Sequence, residues 1–376
     1  MIWLARRLVF HNRVRLAVTV AGVVFSAFLT LTQSALYIGM MQNATAIVRH
    51  AGADLWVASR GIQNFDFPKP FPGDRAERLS GRDEIAWARP ILLSWGFLKL
   101  ADGAQEQVEI IGYDPAAPTG GPWEMASGRA GDVGGGARII LDDSATQRLG
   151  ALRVGDRWEL NDRAVTLAGV SRAAKTFTTA PVVFTSLDLA HGIAADTPRG
   201  DGASYIAIKL RRPAEAERVR ERLRRDLPDN EVLTTDDFVR RTVLYWTLQT
   251  GMGAALCLTA VLGLLVGAGV VGQTVFANTM EHLGEFATLK AMGAADSDLT
   301  TLILGQAAIN TLAGFAIALA LALASKAPLE TTGVTLAVDA RLVGALLTLT
   351  LAVAAGAAWF SLRKVRRLDP ATIFRS

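Results

Sequence analysis

The sequence predicts an α-helical membrane protein with four transmembrane helices and an inserted α+β extracytoplasmic domain. Composition is the first observation: charged residues are 20% of the 376-residue chain and apolar residues 51%, a balance unusual for a soluble protein. Charge distribution is the second. Four stretches contain no Asp, Glu, Lys or Arg, namely 16–48, 242–280, 299–325 and 342–362. Each reaches the roughly 20 residues that a helix needs to cross a bilayer core.

The N-terminus carries a basic cluster ahead of the first apolar run, formed by Arg6, Arg7, Arg13 and Arg15. Such a start fits either a signal peptide or an uncleaved anchor, and Ala44-Thr45-Ala46 resembles a cleavage site. However, the run 16–41 is about twice as long as a signal-peptide core. We therefore predict a first transmembrane helix over 16–41, with residues 1–15 in the cytoplasm because basic flanks stay inside.

Residues 42–241 hold most of the charges and prolines, contain no spanning run, and are numerous enough to bury a core. Alternating or continuous apolar runs between turn signals predict strands, at 52–59, 91–100, 107–111, 138–141, 157–160, 164–170, 205–210 and 231–233. The strand 107–111 reads as half-buried. Pro213 opens a helix in which Val219, Leu223 and Leu227 share one face. The strand-rich stretch 123–199 predicts a small β module within this α+β domain.

The second half of the chain predicts three further transmembrane helices, over 242–277, 299–325 and 338–362. A basic cluster, Arg363, Lys364, Arg366 and Arg367, follows the last of them. It places the tail 363–376 in the cytoplasm, the same side as the N-terminus, as four spans require. The domain 42–241 is then external, and the segment 278–298 is cytoplasmic. Lys290 and Gly293 are suited to the end of a short helix in that segment.

Motifs for chemistry are absent from the sequence. The pattern Gly267-Ala268-Gly269-Val270-Val271-Gly272 matches a dinucleotide fingerprint in letters but lies inside a span, where small residues favour close helix packing. No Gly-Lys dipeptide occurs, so there is no P-loop. The histidines show no metal spacing, at positions His11, His50, His191 and His282. Asp142-Asp143-Ser144 favours a turn or helix cap over a carboxylate site. We predict no catalytic, cofactor or metal residues.

The composition of the four spans limits which kind of transporter this chain can be. The spans contain polar side chains but no ionisable ones. Ion-coupled transporters normally keep charges within the membrane, so a mechanical role is favoured. The single cysteine, Cys257, excludes a disulfide framework. The basic residues cluster at the membrane ends, which gives no sign of a nucleic-acid partner.

Several stretches resemble permeases of the MacB/FtsX type. The stretch Gly284-Glu285-Phe286-Ala287-Thr288-Leu289-Lys290-Ala291-Met292-Gly293-Ala294 resembles their cytoplasmic coupling helix, and 367–375 is similar to their C-terminal ending. Residues 139–144, 149–150, 154–156 and 167–170 are similar to their periplasmic β module. The coupling pattern and Ile62-Gln63-Asn64-Phe65 look closest to the DevC-like branch, which has no fused ATPase domain. Gly284 and Ala287 depart from the broader family, which often has a basic residue and a glycine there.

This resemblance implies a homodimeric, non-catalytic permease subunit of an ABC exporter or extractor in the bacterial inner membrane. A separate ATPase would bind ATP and Mg²⁺, and its motion would be transmitted to the periplasmic domain, in a tripartite efflux or a lipid or lipoprotein export system. A periplasmic adaptor and an outer-membrane channel are implied partners. The resemblance also implies that the ATPase contacts the coupling helix through Glu281, His282, Glu285, Phe286, Leu289, Lys290, Met292 and Gly293.

Three alternatives stay open. An FtsX-like transmembrane regulator would use the same motion to activate a periplasmic cell-wall hydrolase. A membrane-anchored binding protein without an ATPase is disfavoured by the charged re-entry at 281–293, since an anchor needs one span. For the segment itself, a simple interfacial connector remains the alternative to an ATPase contact.

Overall fold

The computed structural model describes residues 13–100, 103–172, 174–177, 180–194, 202–281, 295–330 and 333–366, together with Gly284, Thr288 and Met292. These residues divide into two compact units. The membrane unit comprises the chain through Ile38, Ala254–Glu330 and the residues from Leu336 onward. The outer unit comprises Gly39–Gly253 and a short segment that ends at Thr335. The first helix, α1 (Arg13–His50), contributes to both units.

The outer unit is a mixed α/β structure. Its strands are β1 (Leu55–Ser59), β2 (Phe71–Pro72), β3 (Ile85–Lys99), β4 (Gln105–Tyr113), β5 (Glu124–Ser127), β6 (Arg138–Asp142), β7 (Arg157–Leu160), β8 (Arg163–Arg172), β9 (Val182–Ser186), β10 (Gly202–Ala203), β11 (Tyr205–Leu210) and β12 (Asn230–Thr234). Its helices are α2 (Arg75–Ser80), α3 (Thr146–Leu149), α4 (Leu187–Ile193), α5 (Ala216–Asp226) and α6 (Thr235–Leu244).

A single large sheet runs through the described part of this unit in the order β12-β1-β11-β3-β4-β9-β6-β8-β5, and β7 joins it beside β3 and β8. Strand β3 is long enough to pair with strands in both halves of the sheet. Its first half pairs with β11 (Ile91↔Tyr205) and its second half pairs with β4 (Lys99↔Gln105). The stretch 123–199 continues the same sheet, because β9 pairs in parallel with β4 (Phe184↔Ile111).

Apolar side chains cover both faces of the sheet. One core contains Trp56, Phe65, Ile111, Tyr205 and Phe238. The opposite face of β4 packs Val108 and Ile110 into a second core with β6 and β8. A third core places β1 and β11 against the buried face of α5, as predicted for Val219 and Leu223. Strand 107–111 is thus buried on both faces from Val108 onward rather than half-buried, because helices and loops cover the sheet on each side.

A break separates the outer unit from the second membrane helix. After α6 the backbone forms a π-helical turn, Tyr245–Gln249, and Gly251 adopts a positive φ of 72°. The long helix α7 (Met252–Glu281) begins only then. The predicted span 242–277 therefore starts too early. Thr242 and Trp246 are buried side chains of the outer unit, which a count of charges cannot reveal.

The remaining membrane helices are α8 (Asp296–Glu330) and α9 (Ala340–Arg366). Among the described residues, four helices are long and apolar enough to cross a membrane, over Leu16–His50, Met252–Thr274, Thr300–Glu330 and Ala340–Trp359. This confirms the four predicted spans and, with the inserted domain, the predicted fold class.

Small residues bring α1 and α7 into close contact within the membrane unit. The Ser26 hydroxyl donates to the Gly263 carbonyl at 2.7 Å. A Cβ atom added to Gly267 would lie 2.1 Å from Ser26 Oγ, whereas one added to Gly269 would meet nothing within 4 Å. Gly267 of this apparent dinucleotide motif therefore acts in helix packing, as the sequence predicts.

Candidate functional site: the 278–298 segment and the base of the outer unit

The segment 278–298 connects α7 to α8, and its described residues follow helical geometry. Gly284 and Thr288 are helical. The Thr288 hydroxyl donates to the Gly284 carbonyl at 2.8 Å, and the Met292 amide donates to the Thr288 carbonyl at 3.0 Å. Bonds to the residue four positions earlier are those of an α-helix. A short helix therefore occupies the described part of this connection.

Of the eight residues predicted to contact an ATPase, the structure describes Glu281 and Met292. Both are exposed, and the Met292 side chain is 72% accessible. The other six lie outside the described residues: His282, Glu285, Phe286, Leu289, Lys290 and Gly293. Gly284, Thr288 and Met292 are spaced by four and so lie along one stripe of a helix. That stripe is exposed at all three positions.

The start of α8 is capped by an acid that sequence analysis did not single out. The Ala295 amide donates to Asp298 Oδ2 at 3.1 Å, and the Asp298 amide donates to the Ala295 carbonyl at 2.9 Å. This is the back-bond of a capping box, with the acid at the third helical position. Asp298 thus fixes the point at which the chain re-enters the membrane helix.

In the outer unit, Trp246 of the π-helical turn contacts Asp66 and Phe177. Its Nε1 donates to Asp66 Oδ2 at 2.8 Å, and its ring stacks on Phe177 with centroids 3.6 Å apart. Asp66 directly follows the Ile62-Gln63-Asn64-Phe65 motif. That motif is itself anchored, because the Tyr205 hydroxyl donates to the Phe65 carbonyl at 2.6 Å. The residues that precede α7 are therefore tied to the core of the outer unit.

Two buried carboxyl groups, Asp66 and Glu109, form what we call the acidic pair. Burial raises the pKa of Asp66 to about 6, although the hydrogen bond from Trp246 lowers it. Burial, and then the nearby charge of Asp66, raise the pKa of Glu109 well above its usual value. Neither Glu109 oxygen has a hydrogen-bond partner in the described part of the chain. Burial therefore favours the neutral form of Glu109.

Sequence reasoning missed the acidic pair and Trp246. Glu109 lies in an alternating strand, where the pattern assigns it to the polar face. In the structure it is buried, with Trp95 of β3 and Val182 of β9 as its neighbours in the sheet. The only local signal was the hydrophobic character of the positions that follow it. Among the described residues, no group of three or more His, Cys, Asp or Glu side chains is arranged to hold a metal ion.

Two other polar positions have structural partners. Asp142 is buried and accepts hydrogen bonds from the Ser144 amide at 3.1 Å and the Ala174 amide at 2.9 Å, which confirms its role in a turn. His50 stacks on Trp123 with ring centroids 4.3 Å apart, and His191 Nε2 donates to the Gly202 carbonyl at 2.6 Å. His11 and His282 lie outside the described residues.

Comparison with known proteins gives two family matches. Residues 16–226 match the MacB-like periplasmic core domain, and residues 257–370 match the FtsX-like permease C-terminal domain. The periplasmic region of MacB from Actinobacillus actinomycetemcomitans is 16% identical, with a TM-score of 0.39 over 50% of this chain and 92% of that chain. The extracellular domain of the ABC-type transporter YknZ from Gram-positive bacteria is 10% identical, with a TM-score of 0.36 over 48% of this chain and 98% of that chain.

No curated protein matches the sequence. The first family match alone covers more than half of the chain, and the second covers the last three membrane helices. The two matches follow the order of the predicted parts, with the large domain inserted after the first span. The chain is a multi-pass membrane protein with a periplasmic-type domain, and it belongs to the MacB/FtsX-type family of ABC transporter permeases.

Proposed function

We propose that this chain is the permease subunit of an ABC exporter or extractor and transmits ATP-driven motion from a separate ATPase to the outer unit. The observation that carries the proposal is the exposed helical segment between α7 and α8, within the match to the FtsX-like permease domain. The apolar side chain of Met292 in this segment is 72% exposed, so it is available to contact a partner.

The proposed assembly is a homodimer in the bacterial inner membrane, with both termini in the cytoplasm and the outer unit in the periplasm. ATP and Mg²⁺ belong to the ATPase subunits, and this chain is non-catalytic. A periplasmic adaptor and an outer-membrane channel complete a tripartite efflux or lipid or lipoprotein export system. The basic clusters at both ends of the sequence support this orientation.

Within the outer unit, the Trp246 contacts supply a means of receiving motion. The residues that precede α7 are held to Asp66 by a hydrogen bond and to Phe177 by stacking. A displacement of the start of α7 would therefore pull on the loop that carries Asp66 and Phe65. Because buried cores are close-packed, such a displacement moves neighbouring side chains rather than being absorbed locally.

The test is affinity purification of the full chain from its native membrane in mild detergent, followed by identification of the bound proteins and measurement of ATPase activity. We expect an ABC ATPase to co-purify, and the chain stripped of it to hydrolyse no ATP. Phe286→Ala and Leu289→Ala should each remove an apolar anchor and weaken binding by roughly 30-fold, the equivalent of about 2 kcal/mol. Glu285→Lys should weaken binding at least as much, because a partner must match its charge.

The matched control is Phe97→Ala, which truncates an exposed phenylalanine of the outer unit. It should leave ATPase binding unchanged. Wild-type binding in all three segment variants would leave 278–298 as an interfacial connector and would refute the coupling role. Recovery of a cell-wall hydrolase in place of an adaptor would favour the regulatory alternative.

A further inference from the structure

A cleft of about 890 Å³ opens in the outer unit beside the turn that precedes α7. Three arginines line it, together with a single acid: Arg60, Arg224, Arg241 and Glu231. Its remaining wall includes Leu244, Tyr245 and Gln249 from the end of α6 and the π-helical turn. We call this feature the basic cleft.

The arginines are not neutralised equally. Arg241 pairs with Glu231 at 2.7 Å and donates to the Ile62 carbonyl at 2.9 Å. Arg224 pairs at 3.3 Å with Glu221, which does not line the cleft, and both side chains are about half exposed. Exposed pairs of this kind contribute little stability, so Arg224 can exchange its partner.

Arg60 is exposed, and no ion pair or hydrogen bond involves its guanidinium within the described residues. Counting only lining side chains, the cleft carries three positive charges against one negative. A guanidinium group presents several N–H donors in a planar fork that fits the oxygens of a phosphate or a carboxylate. The electrostatics of the cleft therefore select an anion.

Leu244 gives the wall of the cleft an apolar part, and Leu248 follows it in the chain outside the lining. Leu244 is 48% exposed and Leu248, one turn later, is 67% exposed. Gln249 lies three positions before Met252, the first residue of the spanning stretch Met252–Thr274. Three residues reach at most about 11 Å. Gln249 of the cleft is therefore separated by a short stretch of chain from a helix apolar enough to span a membrane, and Tyr245 is an aromatic residue of the kind enriched at membrane interfaces.

We propose that the basic cleft binds the anionic headgroup of a bilayer amphiphile, with Arg60 and Arg224 on the headgroup oxygens and Leu244 and Leu248 against the upper part of its acyl chains. A free anion would use only the basic half of this arrangement, and an uncharged lipid only the apolar half. The cleft therefore recognises the two together. This inference does not depend on coupling to an ATPase.

The test uses the full chain in a nonionic detergent, titrated with phosphatidylglycerol, phosphatidylcholine or inorganic phosphate and monitored by native mass spectrometry. Arg60→Gln is the informative variant, because an exposed side chain without partners can be changed without harm to folding. Wild type should bind phosphatidylglycerol about tenfold more tightly than phosphatidylcholine, and Arg60→Gln should remove most of that preference. Leu248→Asn should weaken the binding of phosphatidylglycerol as well.

The matched controls are Arg153→Gln and Val154→Asn, which alter an exposed arginine and an exposed valine elsewhere in the outer unit. Both should retain the wild-type preference. Equal effects of Arg60→Gln and Arg153→Gln would overturn the proposal, since the lipid would then respond to overall charge. Equal affinity for the two lipids would also overturn it, as would inorganic phosphate binding as tightly as phosphatidylglycerol.

Discussion

Asp66 and Glu109 place two carboxyl groups in one core, and this sets how the outer unit responds to pH. In the unfolded chain an aspartate has a pKa of about 3.9, whereas burial raises the pKa of Asp66 in the folded protein to about 6. Between these values the folded state binds more protons than the unfolded state. The free energy of unfolding therefore falls as pH rises from about 4 to beyond 6.

Asp66→Asn should remove this dependence. The amide cannot ionise, and its oxygen can still accept from Trp246 Nε1. We expect the variant to match wild type near pH 4 and to be more stable at pH 7.5 by roughly 3 kcal/mol, the value of a two-unit shift. Thermal unfolding of the full chain in detergent, followed by tryptophan fluorescence from pH 4 to 8, measures the difference. Asp74→Asn, at an exposed ion pair, is the control and should keep the wild-type slope.

Trp246→Phe tests the other side of the same hydrogen bond. The phenyl ring can still stack on Phe177, but ionised Asp66 loses its donor. The variant should be less stable by about 1–3 kcal/mol at pH 7.5, and by less at pH 5, where Asp66 is protonated. Trp158→Phe is the matched control, because Trp158 Nε1 is buried without a hydrogen-bond partner within the described residues. Equal losses in the two variants would show that ring volume, not the Asp66 bond, stabilises Trp246.

At the scale of helices, the glycines of α7 differ sharply in their surroundings. Gly267→Ala forces a methyl group against Ser26 and should separate α1 from α7, lowering the stability of the membrane unit by about 1–3 kcal/mol. Gly269→Ala meets no atom and should be neutral or stabilising by up to about 1 kcal/mol, since alanine favours helices. Melting temperatures of the two variants in detergent give the comparison. If they proved alike, contact between α1 and α7 would not depend on the small residue at 267.

The elements that the sequence predicts best are those specified by local pattern. The strands predicted at 157–160 and 205–210 coincide with β7 and β11. Asn161 and Asp162 adopt the positive φ angles, 46° and 60°, that the turn between β7 and β8 requires. Elements that depend on contacts between residues distant in sequence are harder to predict. Strand β3 begins at Ile85 rather than 91, because a stretch that contains Arg89 and Pro90 becomes a strand only when β11 pairs with it.

The same difference between local patterns and distant contacts applies to the candidate site. The sequence predicts a short helix within 278–298, and the described residues Gly284 and Thr288 are helical. The contact between Asp66 and Trp246 joins residues 180 positions apart, so no local pattern reports it. The early start predicted for the second span has a similar origin. Residues 242–251 precede α7, and two of them, Thr242 and Trp246, are buried side chains of the outer unit.

For the whole molecule, the predicted orientation is open to a direct test. A reporter fused after Ser376 should give a cytoplasmic signal, and one inserted near Gly200 should give a periplasmic signal, because basic clusters flank the first and fourth spans on one side. Dual alkaline phosphatase and green fluorescent protein fusions provide the measurement. A cytoplasmic signal from the insertion near Gly200 would contradict the prediction that the outer unit lies in the periplasm.

The pairing of β1 has a consequence for how the protein reaches its native state during synthesis. Leu55 pairs with Ile208 on one side and with Thr234 on the other, so β1 emerges long before either neighbour exists. Closing such long loops is slow, and an unpaired strand in the meantime is prone to aggregate. Both pairings of β1 can therefore form only after β12 is made, and a nascent chain halted before Tyr205 leaves β1 without either partner strand.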